Sequence, residues 1–283
     1  MKNQSEKILV AARGTLTRGA DLEREERVLR IGNLTGLREE NGKFRKANFE
    51  RGLLLDGLVE ALQPREVLEL GTGRGLGAFV MAATPKKNHD ISIITLDVLT
   101  TDTKQHWPIE SDGHREVRHA SRREVWSEKF PDDMRRMVNE VCGPTTAILP
   151  QLIKDGRRFD LIFIDAGHDL FNVVHDLCYS ALLLSEEGWI LMDDFAPASE
   201  YGLATCLASM HARRMFGVVE VLPTEGVVFG DAQMPGLPRN MVLLGERKSG
   251  LKLTPFKLAF WRMASAVLDT CYRPSMFPLS AKA

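Results

Sequence analysis

The feature that most constrains the fold of this chain is an alternation of short apolar strands with helices. A strand at Glu66–Leu70 leads through a glycine-rich turn into a helical stretch at Leu76–Ala83. The alternation continues with a strand at Ile91–Leu96, a strand at Asp160–Ile164, a helix at Asp169–Leu184 and a strand at Trp189–Met192. Because parallel strands need a crossover between them, usually a helix, this order predicts an α/β fold with a doubly wound, mostly parallel sheet.

The later part of the chain departs from this alternation. Val218–Leu222 and Asn240–Leu244 have the composition of strands, and the Gly- and Pro-containing loop between them leaves no room for a convincing helix. A connection of this kind joins antiparallel neighbours. We therefore predict an antiparallel pair at the edge of the sheet.

The predicted domain boundaries follow from where this pattern starts and stops. Residues 1–50 are polar and strongly charged, and we expect an N-terminal helical extension there, with an exposed helix over Asp21–Arg30. The central domain is predicted at 51–247, and its long connection 99–143 is expected to form a lid or wall, although packing helices would also explain it. The tail at 248–283 carries an apolar helical stripe that would dock on the core or on a second subunit, with a membrane-surface helix as the alternative.

The most informative segment is the turn after the first strand, Gly71-Thr72-Gly73-Arg74-Gly75. Its three glycines remove side chains and would let a ligand approach the backbone closely. A dinucleotide-binding fingerprint would place its third glycine where this chain has Leu76. The spacing instead resembles the first motif of class I S-adenosylmethionine-dependent methyltransferases, which have a Rossmann-like fold. The resemblance implies that the cofactor is bound by Glu69, Gly71, Thr72, Gly73 and Gly75.

Two further residues are assigned to the cofactor. Asp97 lies at the end of the second strand, where a carboxylate can accept hydrogen bonds from both ribose hydroxyls. The resemblance implies that role for Asp97, and capping of the next helix is the alternative. Many members of the family hold the adenine with an acidic or polar residue after the third strand, whereas this chain has no acid there. Thr145 or Thr146 would supply the contact, and Thr145 is the assigned residue.

A second group of acids lies at the ends of later strands. Asp165 follows one strand, and Asp193 and Asp194 follow the next. If these strands are neighbours, three carboxylates converge and require a cation, a proton or an arginine, and their oxygen ligands suit Mg²⁺. The pattern resembles metal-dependent O-methyltransferases, including those that methylate sugar hydroxyls of natural products. The resemblance implies a metal site of Asp165, Asp193 and Asp194, with Asp165 also binding the cofactor and His168 as the catalytic base.

These acids and His168 also have simpler interpretations. A helix cap is the alternative role for Asp193 and Asp194, and a histidine after a strand is often a turn residue. The leading hypothesis is Mg²⁺-dependent O-methylation of a hydroxyl on a sugar or polyhydroxylated metabolite, because a divalent cation lowers the pKa of a bound hydroxyl and a base completes its deprotonation. The alternatives are metal-independent transfer with His168 as base, and a non-catalytic cofactor-binding subunit.

Composition limits the partners. Lys and Arg total 37 against 38 for Asp and Glu, so the net charge of −1 gives no general attraction to nucleic acid. No apolar run approaches the roughly 20 residues of a membrane span, and no signal peptide is recognisable. We expect a cytoplasmic enzyme that acts on a small hydroxylated molecule, binds no nucleic acid and does not insert stably into a membrane. Formation of a homo-oligomer is compatible with the sequence.

Overall fold

The computed structural model describes residues 2–17, 19, 21–40, 43–46, 49–87, 89–196, 200–224, 227–228, 237–238 and 240–248. The tail predicted at 248–283 therefore lies outside the described residues, apart from Lys248.

The described residues form helices and strands with the following bounds. The helices are α1 (Lys2–Thr15), α2 (Leu22–Thr35), α3 (Phe49–Leu62), α4 (Leu76–Ala83), α5 (Arg122–Lys129), α6 (Asp132–Met137), α7 (Thr145–Lys154), α8 (Leu170–Leu183) and α9 (Glu200–Met215). The strands are β1 (Leu37–Glu40), β2 (Lys43–Lys46), β3 (Glu66–Leu70), β4 (Ser92–Asp97), β5 (Lys104–Ser111), β6 (His114–Ser121), β7 (Val138–Cys142), β8 (Phe159–Ile164), β9 (Leu184–Phe195), β10 (Phe216–Leu222), β11 (Val227–Val228), β12 (Leu237–Pro238) and β13 (Asn240–Arg247). None of these helices combines the length and the apolar character that crossing a membrane requires.

A seven-stranded sheet in the order β10-β13-β9-β8-β3-β4-β7 forms the centre of the fold. β13 runs antiparallel to both of its neighbours, and the other pairings, β3 with β4 and β8, β4 with β7, and β8 with β9, are parallel. The predicted doubly wound sheet and its antiparallel edge pair are therefore confirmed. The register sets Leu70 beside Leu96 and Ile164, so three consecutive parallel strands end at the same edge.

The side chains of the central strands alternate between two buried clusters. In β3, Val67 packs with residues of α1 to α4, whereas Leu68 and Leu70 pack with residues of α7, α8 and α9. Strands covered on both faces must be apolar on both faces, which explains the continuous apolar runs in the sequence. Glu69 is the exception, because it shares the Val67 face and is 1% exposed.

The N-terminal helices belong to this core. Val28 and Ile31 of α2 are 1% and 2% exposed, so the expectation of an exposed helix over Asp21–Arg30 is wrong for one face. The dense charges of α2 occupy its other positions, and two of them are used internally. Arg24 and Arg27 both donate to the fully buried carboxylate of Asp56 on α3, at 2.9 Å and 2.7 Å.

The segment 99–143, predicted as an insertion, divides into two parts. Its first part is the β5–β6 hairpin with α5 and α6, and the fully buried Trp107 and Ile109 of β5 join the same cluster as Ile31 of α2. Its last part, β7, pairs with β4 and is the edge strand of the central sheet. Only a strand that is covered on both faces needs a continuous apolar run. Because β7 is an edge strand and partly exposed, its sequence is polar and lacks the pattern that identifies the central strands.

Candidate functional site

The three glycines of the turn after β3 have positive φ angles and different surroundings. The φ values are 99° at Gly71, 54° at Gly73 and 97° at Gly75, in the region that favours glycine. A Cβ atom at Gly71 would lie 2.0 Å from the carbonyl oxygen of Asp165, and one at Gly75 would lie 2.8 Å from the Trp126 ring. A Cβ atom at Gly73 would meet nothing within 4 Å. Gly71 and Gly75 are therefore required for packing, whereas Gly73 borders open space that a ligand can fill.

Buried polar groups hold this turn from beneath. The backbone N–H groups of Gly71 and Thr72 donate to the Leu96 carbonyl at 2.9 Å and 3.1 Å. The hydroxyls of Thr72 and Thr95 are 2.7 Å apart, and Thr95 donates to Glu69 Oε2 at 2.6 Å. Burial raises the pKa of the Glu69 carboxyl to about 8. Glu69 and Thr72, both predicted to bind the cofactor, thus have buried side chains that support the turn.

Asp97 lies next to the turn with its carboxylate already engaged. Its Oδ2 accepts from the Gly73 N–H at 3.0 Å and from Arg122 Nη1 at 2.7 Å, and its Oδ1 accepts from the Leu99 N–H at 2.9 Å. The Arg122 side chain is fully buried, donates to the Gly73 carbonyl at 2.8 Å and pairs with Glu140. Burial raises the pKa of Glu140 above its ordinary value. Arg122 was absent from the sequence prediction.

Thr145, the residue assigned to the adenine, is the first residue of α7, close to Asp97. The Gly143 N–H donates to the Asp97 carbonyl at 2.7 Å, which places the start of α7 next to the end of β4. The Thr145 side chain lies near Asp176 on α8, and burial raises the pKa of the Asp176 carboxyl. Thr145 therefore lies near Asp97 and the glycine turn, close to the buried Asp176 carboxyl.

The three acids predicted to bind a metal converge. β8 and β9 are neighbours with Ile164 beside Met192, and one carboxylate oxygen from each of Asp165, Asp193 and Asp194 lies within 4.8 Å of the others. Asp193 and Asp194 are both 3% exposed. Asp194 adopts a φ of 61°, and its N–H donates to Asp193 Oδ1 at 2.7 Å. In an extended strand two consecutive side chains point to opposite faces. The left-handed backbone of Asp194 instead brings both carboxylates toward one point.

A buried arginine neutralises part of this acid cluster. Arg51, in the first turn of α3 and 7% exposed, pairs with both Asp165 and Asp193, and its guanidinium carbon lies 5.7 Å from the centre of the Phe163 ring. Burial opposes the charge of Arg51, but the facing carboxylates outweigh burial and raise its pKa. The sequence held one signal for it: a cation in the first turn of an apolar helix opposes the helix dipole and needs a compensating acid.

His168 completes the cluster. Its Nδ1 lies 2.8 Å from Asp194 Oδ2, and its side chain is 31% exposed. Asp169 then caps α8 by accepting the Asn172 N–H at 3.0 Å, which fixes the chain direction directly after His168. With its Nδ1–H donated to Asp194, a neutral His168 carries its basic lone pair on Nε2.

The site has two ends that adjoin. We call the glycine turn with Asp97 the cofactor end, and the acid cluster with His168 the reacting end. The Asp165 N–H donates to the Leu70 carbonyl at 2.8 Å, so the acid cluster begins where the glycine turn begins. A ligand beside Gly73 and a polar group beside the acids would therefore be held close together. Such a pair of neighbouring sites is suited to group transfer between two bound molecules.

Comparison with known proteins finds similarity to methyltransferases in the part of the chain that carries this site. Residues 68–195 match a family described as a methyltransferase domain, a segment that includes both the turn and the acid cluster. The O-methyltransferase hkm8 of Aspergillus hancockii is 28% identical over 134 residues, which are 47% of this chain and 44% of that protein. The match thus spans less than half the length of that relative.

Two solved structures have a similar fold. The O-methyltransferase TomG of Streptomyces achromogenes, involved in tomaymycin synthesis and determined with S-adenosylmethionine, gives a TM-score of 0.52 at 15% identity, covering 85% of this chain and 96% of that chain. The O-methyltransferase of Bacillus cereus, determined with S-adenosylhomocysteine, gives a TM-score of 0.51 at 16% identity, covering 86% and 99%. At this level of identity the similarity concerns the fold.

Proposed function

We propose that residues 68–195, which match a methyltransferase domain, are a class I S-adenosylmethionine-dependent methyltransferase domain, as the sequence resemblance implies, and that the protein uses it to methylate a hydroxyl oxygen of a small molecule. The acid cluster is the observation that supports an oxygen atom as the methyl acceptor. A hydroxyl is a poor nucleophile until it loses its proton, and the cluster combines three carboxylates with a histidine 2.8 Å from one of them. A sugar or another polyhydroxylated metabolite is the substrate class that such a site fits.

The cofactor end supports the proposal through two kinds of contact. Gly73 borders the open space, and Asp97 would accept a ribose hydroxyl. Three donors already occupy the Asp97 carboxylate, which offers about four acceptor positions, so one ribose hydroxyl fits without rearrangement. Thr145 remains the proposed adenine contact. The residues that we propose to support the turn are Glu69, Gly71, Thr72 and Gly75.

The residues present fit a divalent cation by charge and by ligand type. Three carboxylates and one guanidinium leave two negative charges in excess when His168 is neutral. Carboxylate oxygens are the ligands that Mg²⁺ prefers. We propose that Asp165, Asp193 and Asp194 would hold the ion, which when bound lowers the pKa of a substrate hydroxyl.

The protein's own groups supply the remaining chemistry. His168 Nε2 accepts the hydroxyl proton, and Asp194 stabilises the resulting imidazolium through Nδ1. The Asp165 backbone, packed against Gly71, sets the distance between the acid cluster and the cofactor. The methyl group then moves from sulfur to oxygen, and orientation of the two reactants supplies most of the rate enhancement.

Metal-independent transfer is the second candidate, and Arg51 favours it. Its guanidinium already provides the cation that converging carboxylates require, and it is fixed by two of them. In that case His168 acts as the sole base and the acids hold Arg51 and His168 in place.

Chelation separates the two candidates. With purified protein, S-adenosylmethionine and a panel of polyhydroxylated acceptors, EDTA should abolish methyl transfer and Mg²⁺ should restore it. Asp193→Asn should lower kcat by about a hundredfold while the calorimetric affinity for S-adenosylhomocysteine stays within about twofold, because Asp193 lies at the reacting end. Excess Mg²⁺ should partly restore that variant, and Asp132→Asn, an exposed site, is the matched control.

Each alternative has its own outcome. Full activity of wild type and Asp193→Asn in EDTA would establish metal-independent transfer. Normal binding of S-adenosylhomocysteine without turnover on any hydroxylated acceptor would indicate a non-catalytic cofactor-binding subunit and would refute the proposed O-methylation.

A further inference from the structure

Arg122 lies outside the glycine turn and outside β4, yet its side chain connects both. It is the first residue of α5, directly after the N-cap Ser121, which forms a capping box with Glu124. From there its buried guanidinium donates to the Gly73 carbonyl and to Asp97 Oδ2 through the same nitrogen, at 2.8 Å and 2.7 Å. The other terminal nitrogen donates to the Leu99 carbonyl.

The charge balance around Arg122 explains why the position requires an arginine. Asp97 and Glu140 end up on either side of the guanidinium, and both are largely buried. Without a cation these two carboxylates would repel one another, and one of them would have to turn away or take up a proton. A planar guanidinium has five N–H donors in a fixed fork, which suits two carboxylates and two carbonyls at once, whereas a lysine ammonium does not.

The contacts also select which Asp97 oxygen faces a ligand. Oδ2 receives both the Gly73 N–H and Arg122, while Oδ1 receives the Leu99 N–H alone. Pinning Oδ2 therefore leaves the vacant acceptor position on Oδ1. A carboxylate fixed before the ligand arrives spares the ligand the entropic cost of ordering it.

We propose that Arg122 is a positioning residue for the cofactor: it fixes Asp97 so that Oδ1 accepts a ribose hydroxyl. This inference rests on the proposed role of Asp97. It assigns to the segment between β4 and β7 a function in cofactor affinity, which is distinct from covering a substrate. The proposal does not involve the acid cluster, so its test needs no substrate and no metal.

Calorimetric titration with S-adenosylhomocysteine tests it. Arg122→Met should weaken binding by about tenfold or more, the size of a coupling between groups in direct contact. The neighbouring Arg123→Met is the matched control, because Arg123 pairs on the surface with the exposed Asp102, and its affinity should remain within about twofold of wild type. In an Asp97→Ala background, which should itself bind at least about a hundredfold more weakly, Arg122→Met should have almost no further effect.

The outcomes separate a failure of this inference from a failure of the proposed cofactor site. Wild-type affinity of Asp97→Ala would remove the ribose assignment and the inference with it. Weakened binding by Asp97→Ala combined with wild-type affinity of Arg122→Met would overturn the inference alone, as would equal losses in both backgrounds, which indicate a general structural effect. Should Arg122→Met fail to fold, Arg122→Lys decides, with a loss of several-fold expected and wild-type affinity contradicting the need for the fork.

Discussion

The two ends of the site solve the same electrostatic problem with the same residue type but to different extents. At the cofactor end, Arg122 lies between Asp97 and Glu140, and at the reacting end, Arg51 lies between Asp165 and Asp193. Both arginines are buried in the first turn of a helix, where the helix dipole disfavours a cation. Each is retained there by carboxylates contributed by two neighbouring parallel strands.

The difference between the ends lies in the charge that remains. Two carboxylates and one guanidinium leave one negative charge in excess at the cofactor end, and backbone N–H groups of Gly73 and Leu99 spread that charge. Three carboxylates and one guanidinium leave two negative charges in excess at the reacting end. The charge at the cofactor end is therefore nearly balanced for the neutral ribose that we propose to bind there, whereas the larger negative charge at the reacting end favours a further positive charge.

Removing Arg51 should break the reacting end most severely. Arg51→Met leaves the buried Asp193 and Asp194 and the partly buried Asp165 without their cation, and loss of one partner from a buried ion pair typically costs about 3–5 kcal/mol of folding free energy. Urea unfolding without divalent ions measures this cost. Arg51→Lys should recover part of it, and Arg123→Met, which alters an exposed pair, should remain within about 0.5 kcal/mol of wild type.

Adding Mg²⁺ to the same variant tests whether the acid cluster can bind a cation. With Arg51 absent, the acid cluster carries three negative charges, so Mg²⁺ should raise the melting temperature of Arg51→Met more than that of wild type. An equal shift in both proteins would argue against a cation site at the acids. If Arg51→Met without metal loses well below about 1 kcal/mol of its free energy of unfolding, a group other than Arg51 neutralises the carboxylates.

Replacing His168 should affect only the reacting end. His168→Ala should lower kcat by about a hundredfold at neutral pH, since a positioned base contributes at least about that factor, and leave the affinity for S-adenosylhomocysteine unchanged. The residual rate should rise with pH as hydroxide takes over deprotonation. His119→Ala, on the exposed face of β6, is the matched control, and a wild-type pH profile in His168→Ala would exclude a role as base.

Most of the fold was predictable because both faces of the sheet are covered. β3, β4, β8 and β9 are apolar on both faces and alternate with helices, and this pattern needs no knowledge of distant contacts. The strand β7 was not recognised, since an edge strand such as Val138–Cys142 has only a partly covered surface. The burial of α2 was missed for a related reason: its charges dominate the composition, while Val28 and Ile31 carry the packing.

The site was predictable where it consists of residues at or near the carboxyl ends of strands. Asp97, Asp165 and Asp193 are brought to one edge by strand register alone, and the convergence of the acids is confirmed. Arg51 and Arg122 were not predictable in this way, because each reaches the site from a helix whose packing determines where its side chain ends. Their assigned partners are far away in sequence, and a single sequence gives no measure of that proximity.

Glu69 provides the smallest and most specific test, because we propose that it supports the glycine turn at the cofactor end without contacting a ligand. Its pKa is raised from 4.5 to about 8, chiefly by burial, so the folded state retains a proton that the unfolded state releases. The resulting stabilisation is complete below about pH 4.5 and is lost as the pH rises to about 8. Glu69→Gln replaces the carboxyl by a neutral group of the same size, so the free energy of unfolding of wild type minus that of the variant should decrease between pH 5 and pH 8, with roughly unchanged affinity for S-adenosylhomocysteine. Parallel stability curves would show that Glu69 is ionised in the folded protein, and a large loss of affinity would instead place its carboxyl in contact with the cofactor.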